Sequence, residues 1–228
     1  LLLPIEEARL LATSTQSTIR KELVMYILHI DSSILGAESV SRALSAKAVA
    51  QWKSRHLDTT VVYRDLANEP ITHLTGAVLA AARMDPSQRP PEVRLDVALG
   101  AKVLEEFLDA NVVVIGAPMY NFGVPSQLKA WIDRLAVAGK TFSYTAEGPK
   151  GLAGDKTVII ASSRGNFYGP GTPWAELDHQ ETYLAANFRL FGIMDIRFLR
   201  AEGVQVSPET KQKAMEAADR DVVGLVAT

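Results

Sequence analysis

The feature that constrains the fold most is an alternation of two patterns along the chain. Short apolar runs alternate with longer stretches in which apolar residues recur every three or four positions, as in a helix. Several of the runs are nearly continuous in β-branched residues, which is typical of strands covered on both faces. The predicted strands span 24–30, 59–66, 111–118, 156–163 and 195–203. The predicted helices span 39–56, 92–109, 125–138, 174–191 and 208–226.

Regular alternation of strands and helices, with right-handed crossovers, predicts an α/β protein with a doubly wound parallel sheet. For five strands we expect the flavodoxin-like order 2-1-3-4-5. The segment 67–91 is interpreted as an insertion after the second strand that adds a short helix. Ligands of such sheets bind at the carboxyl ends of the strands, where the strand order reverses. The loops to consider are therefore 31–41, 117–124 and 163–173.

The first of these loops, DSSILGAESVS, is rich in hydroxyl groups. It contains neither G-x-G-x-x-G nor G-x-x-x-x-G-K-[ST], which disfavours a dinucleotide site and a P-loop. Hydroxyls and the amides at a helix start donate hydrogen bonds to a phosphate, and the helix dipole favours its charge. The alternative is ordinary helix capping by serine. The serines of the loop are Ser32, Ser33, Ser39 and Ser41.

The second loop places bulky side chains directly after a buried strand. Pro118 is followed by Met119, Tyr120, Asn121 and Phe122, which combine apolar bulk with an amide. This combination suits a flat, partly polar ring. The alternative is that the aromatic side chains fold back into the core. We expect the next residue, a glycine at 123, to allow a close backbone approach or a positive φ.

The third loop, SSRGNFYGPGTPW, combines polar donors with aromatic side chains. The alternative is a flexible connection, which its glycines and prolines favour. Taken together, the loops predict a site for a phosphate at one end and a flat ring at the other. That description fits FMN better than NAD, ATP or a metal ion. The residues of interest are Ser163, Arg164, Gly165, Asn166, Phe167 and Tyr168.

Composition narrows the function classes. The net charge of −2 provides no basic field that would attract nucleic acid or an anionic membrane. The absence of cysteine excludes disulfides, thiolate nucleophiles and cysteine-bound zinc, and fits a reducing cytoplasm, the location that we expect. The four histidines lack metal-ligand spacing, so no metal site is predicted. The absence of G-x-S-x-G disfavours an α/β hydrolase.

The chain is expected to contain one domain, residues 24–228, preceded by an extension at 1–23. No apolar stretch approaches the roughly 20 residues that span a bilayer. The first 23 residues put leucines before the acidic pair Glu6 and Glu7, which is unlike a secretory signal. We interpret them as an extension or an artefact of the assigned start, and Met25 as a candidate natural start.

Several motifs resemble those of the bacterial FMN-dependent NADH:azoreductases, in the flavodoxin-like NAD(P)H:quinone reductase superfamily. They are SSILGAESVS, APMYNFGVPSQLKAWIDR, GKTFSYTAEGPKGL, SSRG and the AEG near 201–203. The resemblance runs from about residue 25 to the carboxyl terminus. The second and third motifs are the specific ones, whereas the serine loop alone is not.

The resemblance implies an enzyme that binds FMN tightly and non-covalently and uses NADH or NADPH as co-substrate. It implies ping-pong hydride transfer through FMN to quinones or azo compounds, and a homodimer with its active sites at the interface. FMN would carry the chemistry, so no catalytic side chain is predicted. The residues implied to bind FMN are Ser33, Ser39, Val40, Ser41, Pro118, Met119, Tyr120, Asn121, Phe122, Ser163, Arg164, Gly165 and Asn166. An apolar wall for aromatic substrates is expected from Phe122, Phe142, Phe167 and Tyr168.

The third loop departs from the family pattern. Several relatives have glycine where Asn166 stands and histidine where Tyr168 stands, and 167–180 is longer than in some of them. Substrate range and nicotinamide preference therefore stay open. The alternative function is a flavodoxin-like electron carrier or FMN-binding regulatory module without reductase turnover. Such carriers tend to be strongly acidic, and −2 is a weak charge for that role.

Overall fold

The computed structural model of the protein describes residues 25–226, so the predicted extension at 1–23 lies outside the described residues. The strands are β1 Met25–Asp31, β2 Thr59–Asp65, β3 Val112–Pro118, β4 Phe142–Thr145, β5 Gly148–Gly151, β6 Thr157–Ser163 and β7 Asp195–Ala201. The α-helices are α1 Val40–Arg55, α2 Gly76–Ala82, α3 Pro91–Asp109, α4 Ser126–Leu135, α5 Glu181–Leu190 and α6 Pro208–Leu225. Short 3-10 turns lie at Gly36–Glu38, Pro86–Gln88 and Ala175–Leu177.

The main sheet has five parallel strands in the order β2-β1-β3-β6-β7. With β4 and β5 set aside, this is the predicted order 2-1-3-4-5, and the prediction is confirmed. All seven residues of β3 are buried, because the strand lies mid-sheet with helices over both faces. β1 and β3 are neighbours although far apart in sequence, and this pairing creates the reversal in strand order.

Alternate residues of β3 belong to two separate cores. Val112 and Val114 pack with α1 and α6, in a cluster that includes Leu44 and Trp52. Val113 and Ile115 belong to the cluster on the opposite face. Period-two alternation explains the division, since successive strand side chains point to opposite faces. The aromatic side chains of the second cluster are Phe107, Trp131, Phe142, Phe188 and Phe191.

Three details of the fold differ from the sequence prediction. The helix expected over 174–191 begins only at Glu181, because Asp178 Oδ1 accepts the amides of Gln180 and Glu181 and starts the helix there. The helix expected to reach 138 ends at Leu135, whose carbonyl accepts a hydrogen bond from Thr141 Oγ1 at 2.6 Å.

The third difference is the antiparallel hairpin of β4 and β5, which was not predicted. The sequence of β5, GPKG, has low strand propensity, so only its tertiary contacts reveal it. A Cβ at Gly151 would lie 2.1 Å from the amide nitrogen of Gly192, so the two backbones pack directly together. The short helix expected within 67–91 is present as α2. Across residues 25–226, no helix combines the length and apolar character needed to cross a membrane.

Gly116 provides a test of how tightly the carboxyl end of β3 is packed. A Cβ there would lie 2.2 Å from Asp31 Oδ1 and 3.2 Å from Ser45 Oγ. We expect Gly116→Ala to lower the free energy of unfolding by about 1–3 kcal/mol, because the carboxylate must move. Urea unfolding monitored by circular dichroism measures this change.

The matched control is Gly100→Ala in α3, where the new methyl group meets only Arg134, at 3.5 Å or more. Alanine in a helix interior is favoured over glycine, so this variant should gain up to about 1 kcal/mol. Equal stability of the two variants would contradict the packing described for Gly116.

Candidate functional site

The loop after β1 ends at the N-terminus of α1. Ser39 is the N-cap of α1, and its Oγ accepts the Arg42 amide at 3.3 Å and lies 3.1 Å from Ser41 Oγ. Within residues 25–226, the amides of Val40 and Ser41 donate to no protein acceptor. Two free amides at the positive end of a helix, beside hydroxyl groups, form a suitable cradle for an anion.

Arg42 holds this loop in place. Its Nη2 donates to the carbonyl of Ser33 at 2.7 Å, and its Nε donates to the same oxygen at 3.1 Å. The guanidinium also forms a bidentate pair with Asp65, with distances of 2.7 and 2.6 Å. These hydrogen bonds, together with those from the amides of Asn68 and Ala67, lower the pKa of Asp65. The backbone at Ser33 is therefore fixed by an ion pair at the end of β2.

A polar network lies beneath the same loop, with His29, Asp31 and Ser45 buried and Tyr63 half exposed at its edge. Ser45 Oγ donates to Asp31 Oδ1 at 2.8 Å and lies 2.9 Å from His29 Nε2. The phenol of Tyr63 donates to Asp31 Oδ2 at 3.1 Å, and burial followed by the Asp31 charge raises the pKa of Tyr63 to about 12. His29 thus belongs to a hydrogen-bonded group that joins β1 to α1.

The second loop forms a tight turn after β3. Tyr120 and Gly123 exchange two backbone hydrogen bonds of 3.0 Å, and the two residues between them have positive φ, 48° at Asn121 and 69° at Phe122. Gly123 was expected to allow a close backbone approach or a positive φ, and it shows neither. The left-handed residues are Asn121 and Phe122, and a Cβ at Gly123 would lie 3.9 Å from its nearest neighbour, the Tyr120 carbonyl oxygen. A left-handed phenylalanine is strained, and such strain is typical of functional sites.

The side chain of Tyr120 joins the first loop to the second. Its hydroxyl lies 3.3 Å from Ser33 Oγ and accepts the Ile34 amide at 3.2 Å. The Met119 amide donates to the carbonyl of Ser163 at 2.8 Å, which joins the second loop to the third. Because of these bonds, the three loops form one continuous rim along the carboxyl ends of the strands.

The third loop continues the pairing of β6 with the chain after β7. The Arg164 amide donates to the Ala201 carbonyl, and the carbonyls of residues 164, 165 and 166 accept amides from residues 203–205. In the described part of the chain, the amides of Gly165 and Asn166 have no acceptor. The loop therefore offers unpaired donors at the edge predicted to face a ligand.

A cavity of about 170 Å³ lies where the three loops meet. Of the residues implied to bind FMN, those that line the cavity are Ser33, Ser39, Val40, Pro118, Met119, Tyr120, Ser163 and Gly165. Those that do not line it are Ser41, Asn121, Phe122, Arg164 and Asn166. A larger cavity of about 520 Å³, beside Tyr26, Lys102 and Asn111, lies at the amino ends of the strands. That edge is not where doubly wound sheets bind ligands.

Sequence reasoning missed part of the cavity wall. The additional lining residues are Leu35, Glu38, Val204, Gln205 and Lys211. Val204 and Gln205 follow the last strand of the sheet at the same carboxyl edge, so topology alone could have identified them. Lys211 lies in the first turn of α6 and had no sequence signal, since its position depends on how that helix packs.

Arg164 and Phe142 lie elsewhere than the sequence analysis suggested. The Arg164 side chain is buried and pairs with the carboxylates of Asp178, Glu181 and Glu202 rather than lining the cavity. Phe142 is buried in the main core at the start of β4, because its ring completes the packing beneath the hairpin.

A group of aromatic side chains stands beside the cavity instead. The ring of Tyr168 makes edge contacts with Phe122 at 6.2 Å and with Trp174 at 5.8 Å between centroids. Phe167 lies against the backbone at Gly203, where a Cβ would be 2.6 Å from its ring. Phe122, Phe167 and Trp174 are each about two-fifths exposed, so they present an apolar surface to solvent.

The donor set fits the phosphate end of FMN. Unpaired amides and hydroxyls at the start of α1 match a phosphate monoester, and Lys211 adds a positive charge that offsets Glu38. The unpaired amides of Gly165 and Asn166 and the aromatic group suit a flat ring with a polar edge. A five-stranded doubly wound sheet with such a cradle at its switch point defines a flavodoxin-like protein.

Comparisons with known proteins agree with a flavodoxin-like fold. The family model described as "Flavodoxin-like fold" matches residues 25–225. An FMN-dependent NADH:quinone oxidoreductase from a Bradyrhizobium species is 55% identical over 203 residues, covering 89% of this chain and all of the relative. A Bacillus anthracis azoreductase structure has a TM-score of 0.82 at 30% identity, covering 89% of this chain and 99% of its own. A Bacillus anthracis FMN-dependent NADH-azoreductase in complex with FMN has a TM-score of 0.79 at 25% identity, covering 89% and 100%.

The chain belongs to the flavodoxin-like family that includes these FMN-dependent NADH:quinone oxidoreductases and azoreductases. The fold and the class of enzyme that the sequence motifs indicated are thereby confirmed.

The ion pair of Arg42 and Asp65 predicts a pH dependence. Because the pKa of Asp65 is lowered in the folded state, the pair stabilises the fold above the ordinary pKa of 3.8. This contribution is lost as pH falls through the lower folded-state pKa. We expect Asp65→Asn to lower the free energy of unfolding by about 1–3 kcal/mol at pH 7 and to weaken the decrease below pH 4. Urea unfolding at pH 7 and pH 3 measures both effects.

Asp133→Asn is the control, since Asp133 forms an exposed i,i+4 pair with Lys129. Its effect should stay below about 0.5 kcal/mol. A change as large as that of Asp65→Asn would show that the buried pair has no special role.

Proposed function

We propose that this protein is an FMN-dependent NAD(P)H oxidoreductase that reduces quinones and azo compounds. The observation that carries the proposal is the free N-terminus of α1, which lies with Ser33 and Tyr120 on one cavity at the switch point of the sheet. Relatives more than half identical are named FMN-dependent NADH:quinone oxidoreductases, which supports the same assignment. The names favour NADH over NADPH.

In this proposal each loop holds one part of FMN. The amides of Val40 and Ser41, with the hydroxyls of Ser33 and Ser39, hold the phosphate. The other predicted ligands are assigned to the ring: the turn at Met119–Phe122 packs against it, and the unpaired amides of Gly165 and Asn166 face its polar edge. For Arg164 we retain only the backbone, since its side chain is engaged elsewhere.

Bound FMN would supply two-electron chemistry, taking a hydride from the nicotinamide and passing it to the quinone or azo compound. The chain itself has to position the reactants. Phe122 and Phe167 provide an apolar surface on which a planar substrate can stack and from which water is displaced, and the buried ring of Tyr168 packs against Phe122. The free amides of the third loop stabilise negative charge that develops at the polar edge of a ring. Neither task requires a catalytic acid or base.

Ping-pong kinetics are expected because the nicotinamide and the acceptor would use the same exposed aromatic surface. If nicotinamide and acceptor stack on the same aromatic group, one must leave before the next binds. We therefore expect ping-pong kinetics, with parallel double-reciprocal plots when NADH is varied at several menadione concentrations.

The function is tested with purified protein supplied with FMN. A yellow complex should form, bleach under anaerobic NADH, and oxidise NADH continuously when menadione is present. A protein that binds FMN but does not turn over would instead be an electron carrier or regulatory module. A protein that binds no FMN would overturn the proposal altogether.

The phosphate cradle gives a sharper prediction. Ser33→Ala removes a hydroxyl beside the free helix N-terminus, so FMN should bind about 5–10-fold more weakly, the loss expected of one hydrogen bond. Riboflavin, which has no phosphate, should be affected little. Quenching of flavin fluorescence measures both affinities.

Ser54→Ala, at the opposite end of α1, is the matched control and should change neither affinity. An equal weakening of FMN and riboflavin by Ser33→Ala would contradict the placement of the phosphate.

We further propose that the protein is a homodimer in which the partner subunit covers part of the aromatic surface. Phe122, Phe167 and Leu177 are all exposed in the single chain, and contiguous exposed apolar surface is typical of interfaces. Sedimentation equilibrium should give twice the mass of 24.8 kDa. A stable, active monomer would contradict this part of the proposal. The cytoplasmic location stays a prediction.

A further inference from the structure

Arg164 is a buried cation surrounded by carboxylates from separate segments. It is 1% exposed, and its guanidinium lies 2.9 Å from Asp178, 2.7 Å from Glu181 and 3.2 Å from Glu202. A buried charge persists only with such partners, because an uncompensated one is costly. The guanidinium of arginine spreads five N–H donors over a planar group and can reach acceptors on several segments, whereas the ammonium of lysine places three donors on a single nitrogen atom.

Two of these carboxylates hold the two ends of one loop. Residues 167–178 are here called the aromatic loop, since they carry Phe167, Tyr168 and Trp174. At its start, Glu202 Oε1 accepts the Tyr168 amide at 2.8 Å as well as the arginine. At its end, Asp178 Oδ1 accepts the first amides of α5 while Oδ2 accepts the arginine. One guanidinium therefore bridges both ends of the aromatic loop.

The same group connects the aromatic loop to the turn after β3. Arg164 Nε donates to Gln180 Oε1 at 3.1 Å, and Gln180 Nε2 donates to the Ala117 carbonyl at 2.7 Å. Next to it, the His179 amide donates to the Phe122 carbonyl at 3.1 Å. These bonds set the distance between the aromatic loop and Phe122, whose ring meets that of Tyr168.

The aromatic loop has little regular structure of its own to hold its shape. Its internal backbone hydrogen bonds are short-range turns, such as Thr172 to Gly169 and Ala175 to Thr172. Gly169 and Gly171 lower its local stiffness further. A loop of this composition needs its ends fixed from outside if its side chains are to keep one position.

We propose that Arg164 is a positioning residue that fixes the aromatic loop beside the flavin site and thereby sets the affinity for the acceptor substrate. The inference rests on the proposed function, and it assigns to Arg164 no side-chain contact with FMN. Arg164 acts through Glu202 and Asp178, so its loss should loosen the loop while the phosphate cradle at α1 stays intact.

The variant Arg164→Lys keeps the positive charge but loses the planar guanidinium group. Its control is Arg200→Lys. Arg200 pairs with the shared partner Glu181, its side chain is 49% exposed, and it forms no hydrogen bond or ion pair with residues 167–178. A third variant, Glu202→Ala, removes the acceptor of the Tyr168 amide together with one of the three carboxylates that pair with Arg164. Glu202 lies closer to the surface than Arg164, so this variant keeps the test available if Arg164→Lys fails to fold.

We expect Arg164→Lys to raise KM for menadione about tenfold and to change kcat and the FMN affinity by less than about threefold. Glu202→Ala should raise KM by about threefold, and Arg200→Lys should match the wild type. A purely structural role would lower the amount of folded enzyme, and thus kcat, without a selective change in KM.

Trp174 gives a readout that needs neither FMN nor turnover. It is 42% exposed, whereas Trp52 and Trp131 are buried, so acrylamide quenching of tryptophan fluorescence reports mainly on the aromatic loop. Subtracting the signal of Trp174→Phe isolates it. In the FMN-free protein, Arg164→Lys and Glu202→Ala should increase the quenching constant of Trp174, and Arg200→Lys should leave it unchanged.

The outcomes separate the two proposals. Wild-type protein that binds no FMN overturns the proposed function, while the quenching experiment still measures whether Arg164 holds the loop. Folded Arg164→Lys and Glu202→Ala with unchanged KM and unchanged quenching overturn the inference and leave the function intact. A change in quenching without a change in KM also overturns it, since the loop would then have no effect on substrate.

Discussion

The pairing of β1 with β3 is the constraint on which the site depends. These strands are separated in the chain by β2 and three helices, yet they lie side by side, with Asp31 opposite Gly116. At their carboxyl ends the crossovers leave in opposite directions and open a crevice. The missing side chain of Gly116 allows the Asp31 carboxylate to pack against β3, and Ser45 then joins both to α1. This contact adds to the packing of Leu44 against the sheet in fixing the position of the N-terminus of α1.

Two ion-pair groups hold the two sides of that crevice. Arg42, paired with Asp65, fixes the backbone of Ser33 on the phosphate side. Arg164, among Asp178, Glu181 and Glu202, fixes the aromatic loop on the other side. Both arginine side chains are largely buried. Arg42 donates directly to the backbone of Ser33, whereas Arg164 holds its loop through the carboxylates of Asp178 and Glu202. Pre-organisation of this kind reduces the conformational entropy that a ligand would have to remove on binding.

The chemistry available to the chain follows from what the rim presents. It offers unpaired amides at α1 and at Gly165, hydroxyls beside them, and an apolar aromatic surface at Phe122 and Phe167. None of these groups is a strong acid, base or nucleophile, so they suit the binding and orientation of a group that carries its own reactivity. Membership in the family of FMN-dependent oxidoreductases agrees with that division of roles.

The sequence by itself determined the five strands of the main sheet, their order and the loops that meet at their carboxyl ends. Apolar periodicity and β-branched runs are local properties, and crossover handedness limits the topology. The family motifs also indicated the class of enzyme. Tertiary structure alone decided the positive φ at Asn121 and Phe122, the β4–β5 hairpin, and the places of Phe142 and Lys211. It also turned Arg164 away from the cavity. These features depend on which distant groups meet, and a buried arginine goes where carboxylates from other segments compensate its charge, which no local pattern encodes.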